Sequence, residues 1–556
     1  MPTVHESLAA GLAAAGVRTV FGLMGSGTDQ LTRDLVEHYG VRYVATRHEH
    51  GAVAMADGFS RVGEGIGVAL VSADAGLTNS MTALVTARLA GSRVLAIVGD
   101  QASSYKSDQT RLDQIPLESA LGITTIPVSA ATVQRDLLHA LRELDLDRGP
   151  VILNVAWDVS NAEDTGSESR HELRPTALRR DYGPSESTLD DVMGLIALAR
   201  RPLVLAGRGA IRSAAGPILT ALARSIGALT ATTLPARGYF ADDEFDVGVC
   251  GSFATDDVAR LISETDLVLS FGAGLNAHTR GHGGLFGRAR IVQIDLEPAV
   301  LGRRGPINIG VIGDAAAVAR RLLESSTQLG ELTAEERGRS AEGWRTAETK
   351  HQIANLDKWR GVDLHTESDG YANPYAVMRA CDELLPTERL VAIDIGYFMS
   401  YAGVYLESGS APSMVCPWEY GAIGCALGPA IGAALARPDL YPVMIIGDGG
   451  MAATMNELDT VIRCGIPMLI VVMDDGGFRA ERELFRRREQ SFHTADTPSP
   501  DFAGVARALG FDSHTVTAGT QMREVLAELP PDRACLIRVM VHPTQPNPEM
   551  VKAMQG

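Results

Sequence analysis

Two acids at the ends of two neighbouring apolar runs carry the most chemistry in this chain. Val443–Ile446 reads as a strand and ends at Gly447-Asp448-Gly449-Gly450, after which Met451–Arg463 has a helical pattern. A glycine turn of this kind lets backbone N–H groups and the positive end of a helix approach a diphosphate. Met468–Met473 reads as a second, buried strand and leads into Asp474-Asp475-Gly476-Gly477. Ligands of open α/β sheets bind at the carboxyl ends of the strands. Oxygen ligands from two strand ends, with diphosphate oxygens and water, suit an octahedral Mg²⁺, which makes Asp448 and Asp475 candidate metal ligands. A third acid, Glu49, stands in Arg47-His48-Glu49-His50-Gly51-Ala52, between a β-branched run and an Ala-rich helical pattern. Taken alone, an acid in a first helical turn compensates the helix dipole, and a lone Gly-Asp-Gly turn is a common cap.

The elements that must position these groups fall into three blocks. From Val4 to about Trp157, the runs Val17–Phe21, Val41–Val44, Gly67–Val71, Val94–Val98 and Val151–Val155 alternate with helical patterns. That alternation predicts a parallel sheet with helices on both faces. The polar, Pro-containing stretch from Ser160 to about Ser187 reads as a linker. A second block has strands at Leu203–Ala206, Leu267–Phe271 and Ile291–Ile294, with helical patterns at Gly216–Ile226 and Ala315–Leu323. Residues 325–368 lack a strand signal, and a surface helix within Ala334–Lys350 would join this block to the next. The third begins near Asn373, with strands at Leu390–Ile393, Val443–Ile446, Met468–Met473 and Cys535–Val539. The expectation is an α/β chain of three doubly wound parallel-sheet domains, residues 1–165, 188–325 and 370–556, with the first and third alike around a different middle one.

Ile431-Gly432, Pro438, Val443, Ile445 and Gly447-Asp448-Gly449-Gly450, with Asp475 lying 27 positions beyond Asp448, together resemble the signature of thiamine-diphosphate-dependent enzymes. Arg47-His48-Glu49 resembles their RHE motif. Asp74-Ala75-Gly76-Leu77-Thr78-Asn79 resembles their GPGATN loop, from which Asp74 and Ala75 depart, and Val20-Phe21-Gly22 before Gly25-Ser26 resembles their usual opening. Gly421-Ala422-Ile423-Gly424 matches the segment over which the cofactor bends. Residues 201–207, 266–276 and 292–295 look like the central domain of acetolactate-synthase-type members, so the resemblance, to the acetolactate synthase, benzoylformate decarboxylase and pyruvate oxidase-like family, covers nearly the whole chain.

That resemblance implies a set of roles. Asp448, Asp475 and the carbonyl of Gly477 would bind Mg²⁺, and Gly449, Gly450 and Met451 would cradle the diphosphate of thiamine diphosphate. Ile423 would be wedged between the two cofactor rings, the carbonyl of Gly421 would receive the cofactor's amino group, and Gly76 and Asn79 would join the cofactor-binding set. Glu49 would hydrogen-bond the aminopyrimidine ring nitrogen, which lets the cofactor serve as its own base. Asp475 departs from the family's usual Asn, and the added carboxylate implies a metal held differently, or Mn²⁺ and Ca²⁺ serving as well. In the family the two cofactor-binding domains come from different subunits, so Glu49 and Asp448 would meet across the interface of a homodimer or homotetramer. The central domain binds FAD in some members. Gly207, Gly209, Gly272 and Gly274 are equally the glycines of ordinary α/β turns, so FAD is an option the family offers and not the favoured one.

The activity implied starts from a 2-oxo acid, removes carbon dioxide and couples the remaining acyl unit to a second carbonyl, as in acetolactate synthesis. The adjacent histidine pair of pyruvate decarboxylases is missing from residues 101–114, which disfavours plain aldehyde release. The alternatives are a simple 2-oxo acid decarboxylase, a lyase of 2-hydroxy ketones or 2-hydroxyacyl thioesters, and a non-catalytic cofactor-binding homologue. Ser26 matches a position that contacts the substrate carboxylate in benzoylformate-decarboxylase-like members. Arg111, Asp113 and Gln114 lie near the family's active-site Gln. Arg479 and Arg482 open a helix, Phe478–Arg488, whose mixed charge otherwise predicts a solvated face, and they could meet an anionic substrate. His278 and His282 are central-domain candidates. A net charge of −18 over 556 residues argues against a nucleic-acid partner. The six cysteines show no metal-ligand spacing, and no apolar run approaches the ~20 residues that span a bilayer. A cytoplasmic setting without a membrane anchor is expected.

Overall fold

The computed structural model describes residues 1–102, 112–146, 149–166, 183–329 and 343–554. These form three six-stranded sheets, all parallel, with flanking helices. The first contains β1 (Thr19–Gly22), β2 (Arg42–Ala45), β3 (Gly67–Val71), β4 (Val94–Asp100), β5 (Thr124–Pro127) and β6 (Val151–Ala156), in the order β2-β1-β3-β4-β6-β5. The middle sheet contains β7 (Pro202–Ala206), β8 (Leu229–Thr232), β9 (Asp246–Val249), β10 (Leu267–Phe271), β11 (Arg290–Asp295) and β12 (Ile309–Ile312), in the order β12-β11-β10-β7-β8-β9. The third contains β13 (Arg389–Ile393), β14 (Met414–Val415), β15 (Tyr441–Gly447), β16 (Leu469–Asp474), β17 (Asp512–Val516) and β18 (Cys535–Met540), in the order β14-β13-β15-β16-β18-β17.

Numbered within each sheet, the first and third share one order, 2-1-3-4-6-5. The middle sheet reads 3-2-1-4-5-6, the dinucleotide-fold order. Two alike domains around a different one is therefore the architecture. Each order reverses at a switch point, between β1 and β3 in the first sheet and between β13 and β15 in the third, and the crevice outside the strand ends there is where such sheets bind ligands.

The expected strands are all present to within about two residues. Those without a sequence signal are β5, β8, β9, β12, β14 and β17, and all but β8 lie on sheet edges. An edge strand has less surface to bury, so β9 alternates buried and half-buried residues instead of forming an apolar run. Met451–Arg463 is not one helix: Asp448–Thr454 is followed by a 3₁₀ turn, Met455–Glu457, and then by Leu458–Arg463. The predicted linker and joining helix fall largely outside the described residues, although a helix does occupy Ala347–Ala354.

The largest core cluster is shared by the first and third domains. The helices Glu49–Val62 and Leu427–Ala436 cross in it, burying Ala52, Val53, Ala56, Leu427, Ala430 and Ile431. Their backbones touch: a Cβ on Gly432 would overlap the carbonyl of Met55, and one on Gly58 the carbonyl of Pro429. No described helix is long and apolar enough to cross a membrane, and the six cysteines are free thiols.

Candidate active site

Glu49 is the first residue of its helix, just past the end of β2, and is 7% exposed. Its carboxylate is held on both oxygens: the Asn79 amide donates to Oε2 at 3.0 Å and the Ser72 hydroxyl to Oε1 at 3.3 Å. Ser72 follows β3, and Asn79 lies in the first turns of the helix Ala75–Ala90. Gly76 is required beside them, since a Cβ there would overlap the Ser72 hydroxyl. The preceding residue but one, Asp74, has φ +54 and is fixed from two sides. Its N–H donates to Gln114 Oε1 at 2.5 Å, and its carboxylate accepts from the Gln101 amide at 2.6 Å. Gln114 is 1% exposed and spends its other amide group on the Gly99 carbonyl, 3.0 Å away. Its side chain thus braces the 72–76 loop. Ser26 is exposed in the loop after β1, its carbonyl accepting the Ala73 N–H at 3.4 Å. Arg111 lies outside the described residues, and Asp113 precedes the short helix Gln114–Ala120.

The third domain braces the same region from behind. The carboxylate of Glu457 accepts the Arg47 N–H at 2.9 Å and the Thr460 hydroxyl at 2.7 Å. The break after Thr454 in the predicted Met451–Arg463 helix is the segment that carries Glu457. His50 stands 3.9 Å from the Cys425 thiol, and burial pushes its imidazole down to about 4.

At the carboxyl end of the third sheet, Asp448 follows β15 and Asp475 follows β16. The Ser499 hydroxyl lies 3.0 Å from Asp448 Oδ2 and 2.8 Å from Asp474 Oδ1. One hydroxyl has one proton to donate, so it cannot serve both carboxylates at once. Asp474 is satisfied elsewhere, by Arg538 Nε at 2.7 Å and the Gly476 N–H at 3.1 Å. Among the described residues no cation pairs with Asp448, and burial and the Asp474 charge push it up to about 6. Burial and the Asp448 charge push Asp475 up to about 7, against the pull of Arg479 and Arg482. Acids crowded together at one sheet edge, Asp474 raising Asp448 and Asp448 raising Asp475, are what a divalent cation would relieve. Gly477 takes φ +152, and a Cβ there would come 2.9 Å from the Thr497 nitrogen.

The glycines of the turn are dictated by their neighbours. A Cβ on Gly449 would come 2.9 Å from the Phe478 ring, and one on Gly450 would overlap the carboxylate of Asp394. Asp394, fully buried just past β13, also accepts the Gly424 N–H at 2.8 Å, and burial pushes it up to about 7. Met451 is fully buried in the shared core, so its backbone N–H is what it can offer a ligand. Beside this turn, Gly421 has φ +83 and Ile423 is 42% exposed. The site thus offers a glycine turn, paired acids and an unfilled apolar tip, a set that fits a diphosphate, a hard cation and an apolar ring system.

Arg479 and Arg482 are buried, unlike the rest of the charged helix Arg479–Arg487. Arg479 donates to the carbonyls of His542, at 3.1 Å, and Gln545, and lies over the Tyr397 ring. Arg482 fastens the Asp475–Gly477 loop through the Asp475 carbonyl (2.8 Å), the Gly476 carbonyl (2.5 Å) and Asp496 (2.7 Å). In the middle domain, His278 and His282 have ring centroids 5.3 Å apart. His278 approaches Phe253 at 6.2 Å, and Phe253 approaches Trp418 at 5.2 Å, three residues before Gly421. The middle-domain glycines are explained by chain crossings: a Cβ on Gly209 would lie 2.6 Å from Gly272 Cα, and one on Gly207 2.7 Å from Ala273 Cα.

The structure therefore gathers two sets of residues, Glu49, Ser72, Asn79 and Gly76 on one sheet edge and Asp448, Asp475, Gly477 and Gly449–Met451 on another. Among the described residues no hydrogen bond or ion pair joins the acids of the two sets. Ser72, Asp394, Glu457 and Ser499 were not anticipated from the sequence. Asp394 had a signal, being an acid directly after an apolar strand exactly as Asp448 is, whereas the other three are ordinary polar residues until the fold brings them in.

A glycine-turn domain and an acid-presenting domain of the same strand order flank, along the chain, a dinucleotide-ordered sheet, an arrangement suited to a cofactor-dependent enzyme. Comparison with known proteins agrees. Residues 2–117 match the thiamine pyrophosphate enzyme N-terminal TPP binding domain, residues 189–322 the central domain and residues 394–539 the C-terminal TPP binding domain. The chain belongs to the thiamine pyrophosphate enzyme family. It is 26% identical to a sulfoacetaldehyde acetyltransferase of Alcaligenes xylosoxydans xylosoxydans, over 97% of this chain and 93% of that protein. It is 26% identical to the acetolactate synthase large subunit of Parasynechococcus marenigrum, over 96% and 88%. It is 25% identical to the acetolactate synthase isozyme 2 large subunit of Escherichia coli, over 93% and 91%.

Proposed function

We propose that this enzyme, using thiamine diphosphate and Mg²⁺, decarboxylates a 2-oxo acid and ligates the remaining acyl unit to a second carbonyl, in the manner of acetolactate synthase. The observation that carries this reading is the buried Glu49 carboxylate held on both oxygens by Asn79 and Ser72 at a sheet edge, in a chain whose other outer sheet ends in the Asp448 turn. Bound there, the cofactor supplies an electron sink for breaking and making bonds next to a carbonyl. Glu49 holds a proton at the cofactor's ring nitrogen, Asn79 and Ser72 keep its carboxylate in place, and Gly76 leaves room for them. Asp448, Asp475 and the Gly477 carbonyl hold the metal, Gly449, Gly450 and the Met451 N–H take the diphosphate, and Gly421 and Ile423 orient the rings. Ser26 and Arg479 are the proposed substrate contacts, and Gln114 acts through the loop it braces. FAD in the central domain is an option that this reading does not favour.

The working unit is proposed to be a homodimer or homotetramer in which Glu49 of one subunit faces the Asp448 turn of another. The exposed Ile423, Tyr420, Phe478 and Met24 support this, since all are apolar or aromatic and lie on or beside the loops that carry the two sets. A cytoplasmic setting is kept as part of the same reading.

The test is to incubate the purified protein with thiamine diphosphate and Mg²⁺ and offer 2-oxo acids with and without acceptor carbonyls, following carbon dioxide and products by mass spectrometry. Carbon dioxide with a coupled acetohydroxy acid or hydroxy ketone, abolished in Glu49→Gln, is the expected result. Free aldehyde alone would replace the ligase with a decarboxylase. Because a relative of equal identity is named sulfoacetaldehyde acetyltransferase, sulfoacetaldehyde belongs in the panel, and its turnover in place of 2-oxo acids would overturn the 2-oxo acid reading.

A further inference from the structure

An ion network joins all three domains behind the Gly421–Ile423 tip. Arg61, near the end of the helix that begins at Glu49, has a side chain only 4% exposed. It pairs with Asp57 one turn earlier, at 2.9 Å, and with Glu419, at 3.0 and 3.2 Å on its two oxygens. Glu419 also lies 2.8 Å from the guanidinium of Arg208, which follows β7 in the middle domain. The flanking arginines overcome burial and hold the Glu419 carboxyl down to about 2.

Glu419 stands two residues before Gly421 and four before Ile423. The same loop is fastened on both sides of it. The Trp418 indole donates to the Ile393 carbonyl at 2.9 Å, and beyond the tip the Gly424 N–H donates to Asp394 at 2.8 Å. Between these anchors the tip itself is free of packing: Gly421 and Ile423 are exposed, and no atom would come within 4 Å of a Cβ on Gly421. A tip this bare takes its position from its anchors. Buried ion pairs add little net stability over apolar packing, but they impose one geometry. The Glu419 carboxylate takes the Arg61 fork on both oxygens and pairs its charge with Arg208 at 2.8 Å, neither of which an amide would do.

We propose that Glu419 is a positioning residue: by pairing with Arg61 and Arg208 it fixes the Gly421–Ile423 tip relative to the helix that starts at Glu49 and to the middle domain. This rests on the reading of Ile423 as the rest for the cofactor rings. A consequence is that the middle domain, through Arg208, contributes to the geometry of the cofactor site.

The test uses full-length protein with Glu419→Gln, Glu419→Asp and Arg208→Gln. In the cofactor-free state, exchange of the Gly424 amide, which donates to Asp394 at 2.8 Å, is expected to speed up about tenfold in Glu419→Gln while the β15 amides stay as in wild type. Thiamine diphosphate affinity, measured by calorimetry with Mg²⁺, should weaken about tenfold, the loss of roughly one such anchor. Glu419→Asp should recover part of both. Wild-type exchange at the Gly424 amide in Glu419→Gln would overturn the proposal, whatever happens to the melting temperature. Should that variant fail to fold, Arg208→Gln, at the more exposed edge of the network, reads the same two quantities, and unchanged values there overturn it equally. If wild type does not bind thiamine diphosphate, the function above fails, and the exchange measurement still decides the clamp.

Discussion

Removing the Asn79 amide should slow the enzyme by an amount that the geometry at Glu49 sets. Asn79 Nδ2 donates to one carboxylate oxygen at 3.0 Å and Ser72 Oγ to the other at 3.3 Å. A hydrogen bond to a charged group contributes about 1.5–3 kcal/mol, which at 1.36 kcal/mol per decade is roughly 10–150-fold. Asn79 is exposed, so water can take over part of the lost bond, and Asn79→Ala belongs at the lower end, about tenfold. The longer Ser72 bond should cost less, about threefold. Glu49→Gln, which removes the carboxyl proposed to meet the cofactor's ring nitrogen, should cost far more than either. The assay is exchange of the cofactor C2 proton for deuterium in the loaded enzyme, followed by NMR after acid quench, because it reports activation before any substrate step. The order expected is Glu49→Gln, then Asn79→Ala, then Ser72→Ala. Exchange at the wild-type rate in Asn79→Ala, or a larger loss in Ser72→Ala, would refute the argument that these two side chains hold the Glu49 carboxylate in its proposed role.

Gly450→Ala should abolish thiamine diphosphate binding by calorimetry while leaving the circular dichroism spectrum intact, because the added methyl overlaps the Asp394 carboxylate inside the turn. Ile423→Ala removes an apolar surface that is 42% exposed in the single chain, so it should weaken cofactor binding severalfold with little change in melting temperature. Without a divalent cation, thermal stability should fall as the pH rises from about 4 to about 7. Asp448 and Asp475 keep their protons in the fold up to about 6 and about 7, whereas the unfolded chain releases them near 3.8. For Asp448 this amounts to about 3 kcal/mol, and saturating Mg²⁺ or Asp448→Asn should flatten the dependence in melts across that range.

The parts of this protein that were legible in the sequence are those where one physical demand dominates. Central parallel strands are buried on both faces, so β3, β4, β10, β13, β15 and β16 announce themselves as apolar runs, while the edge strands β5, β9, β12, β14 and β17 do not. The acids at strand ends were legible for the same reason, as polar residues directly after a run of buried ones. What stayed hidden depends on long-range placement. Gln114 carries the signal of a polar residue in an active-site region, and only the fold shows its amide spent on Asp74 and Gly99. Arg479 and Arg482 sit in a run of mixed charge that predicts solvation, and are instead drawn inward by carbonyls of the 475–477 and 542–545 segments. Glu457 has no local signal at all, because its partner is the Arg47 N–H, 410 positions away in the chain.

These long-range contacts share a geometry that bears on how the site is kept in register. The helix that begins with Glu49 and the helix Leu427–Ala436 approach so closely that Gly58 and Gly432 have no room for a side chain. Glu457 fixes the turn before the first helix, and Glu419 fixes its last turn. The acid-bearing helix is therefore held at both ends and along its length by the domain of the same chain that carries the Asp448 turn. Packed backbones cannot slide by a fraction of a side chain without losing contact along the whole crossing, so the two outer domains of one chain behave as a single block. Any motion that opens the site for substrate must then occur elsewhere, in the loops that carry Ser26, Ile423 and Phe478 or, in the proposed oligomer, between its subunits. Gly432→Ala tests this reasoning away from every site residue: forcing the crossing apart should lower activity and melting temperature together, and a variant that melts normally yet works normally would show that the crossing does not set the site.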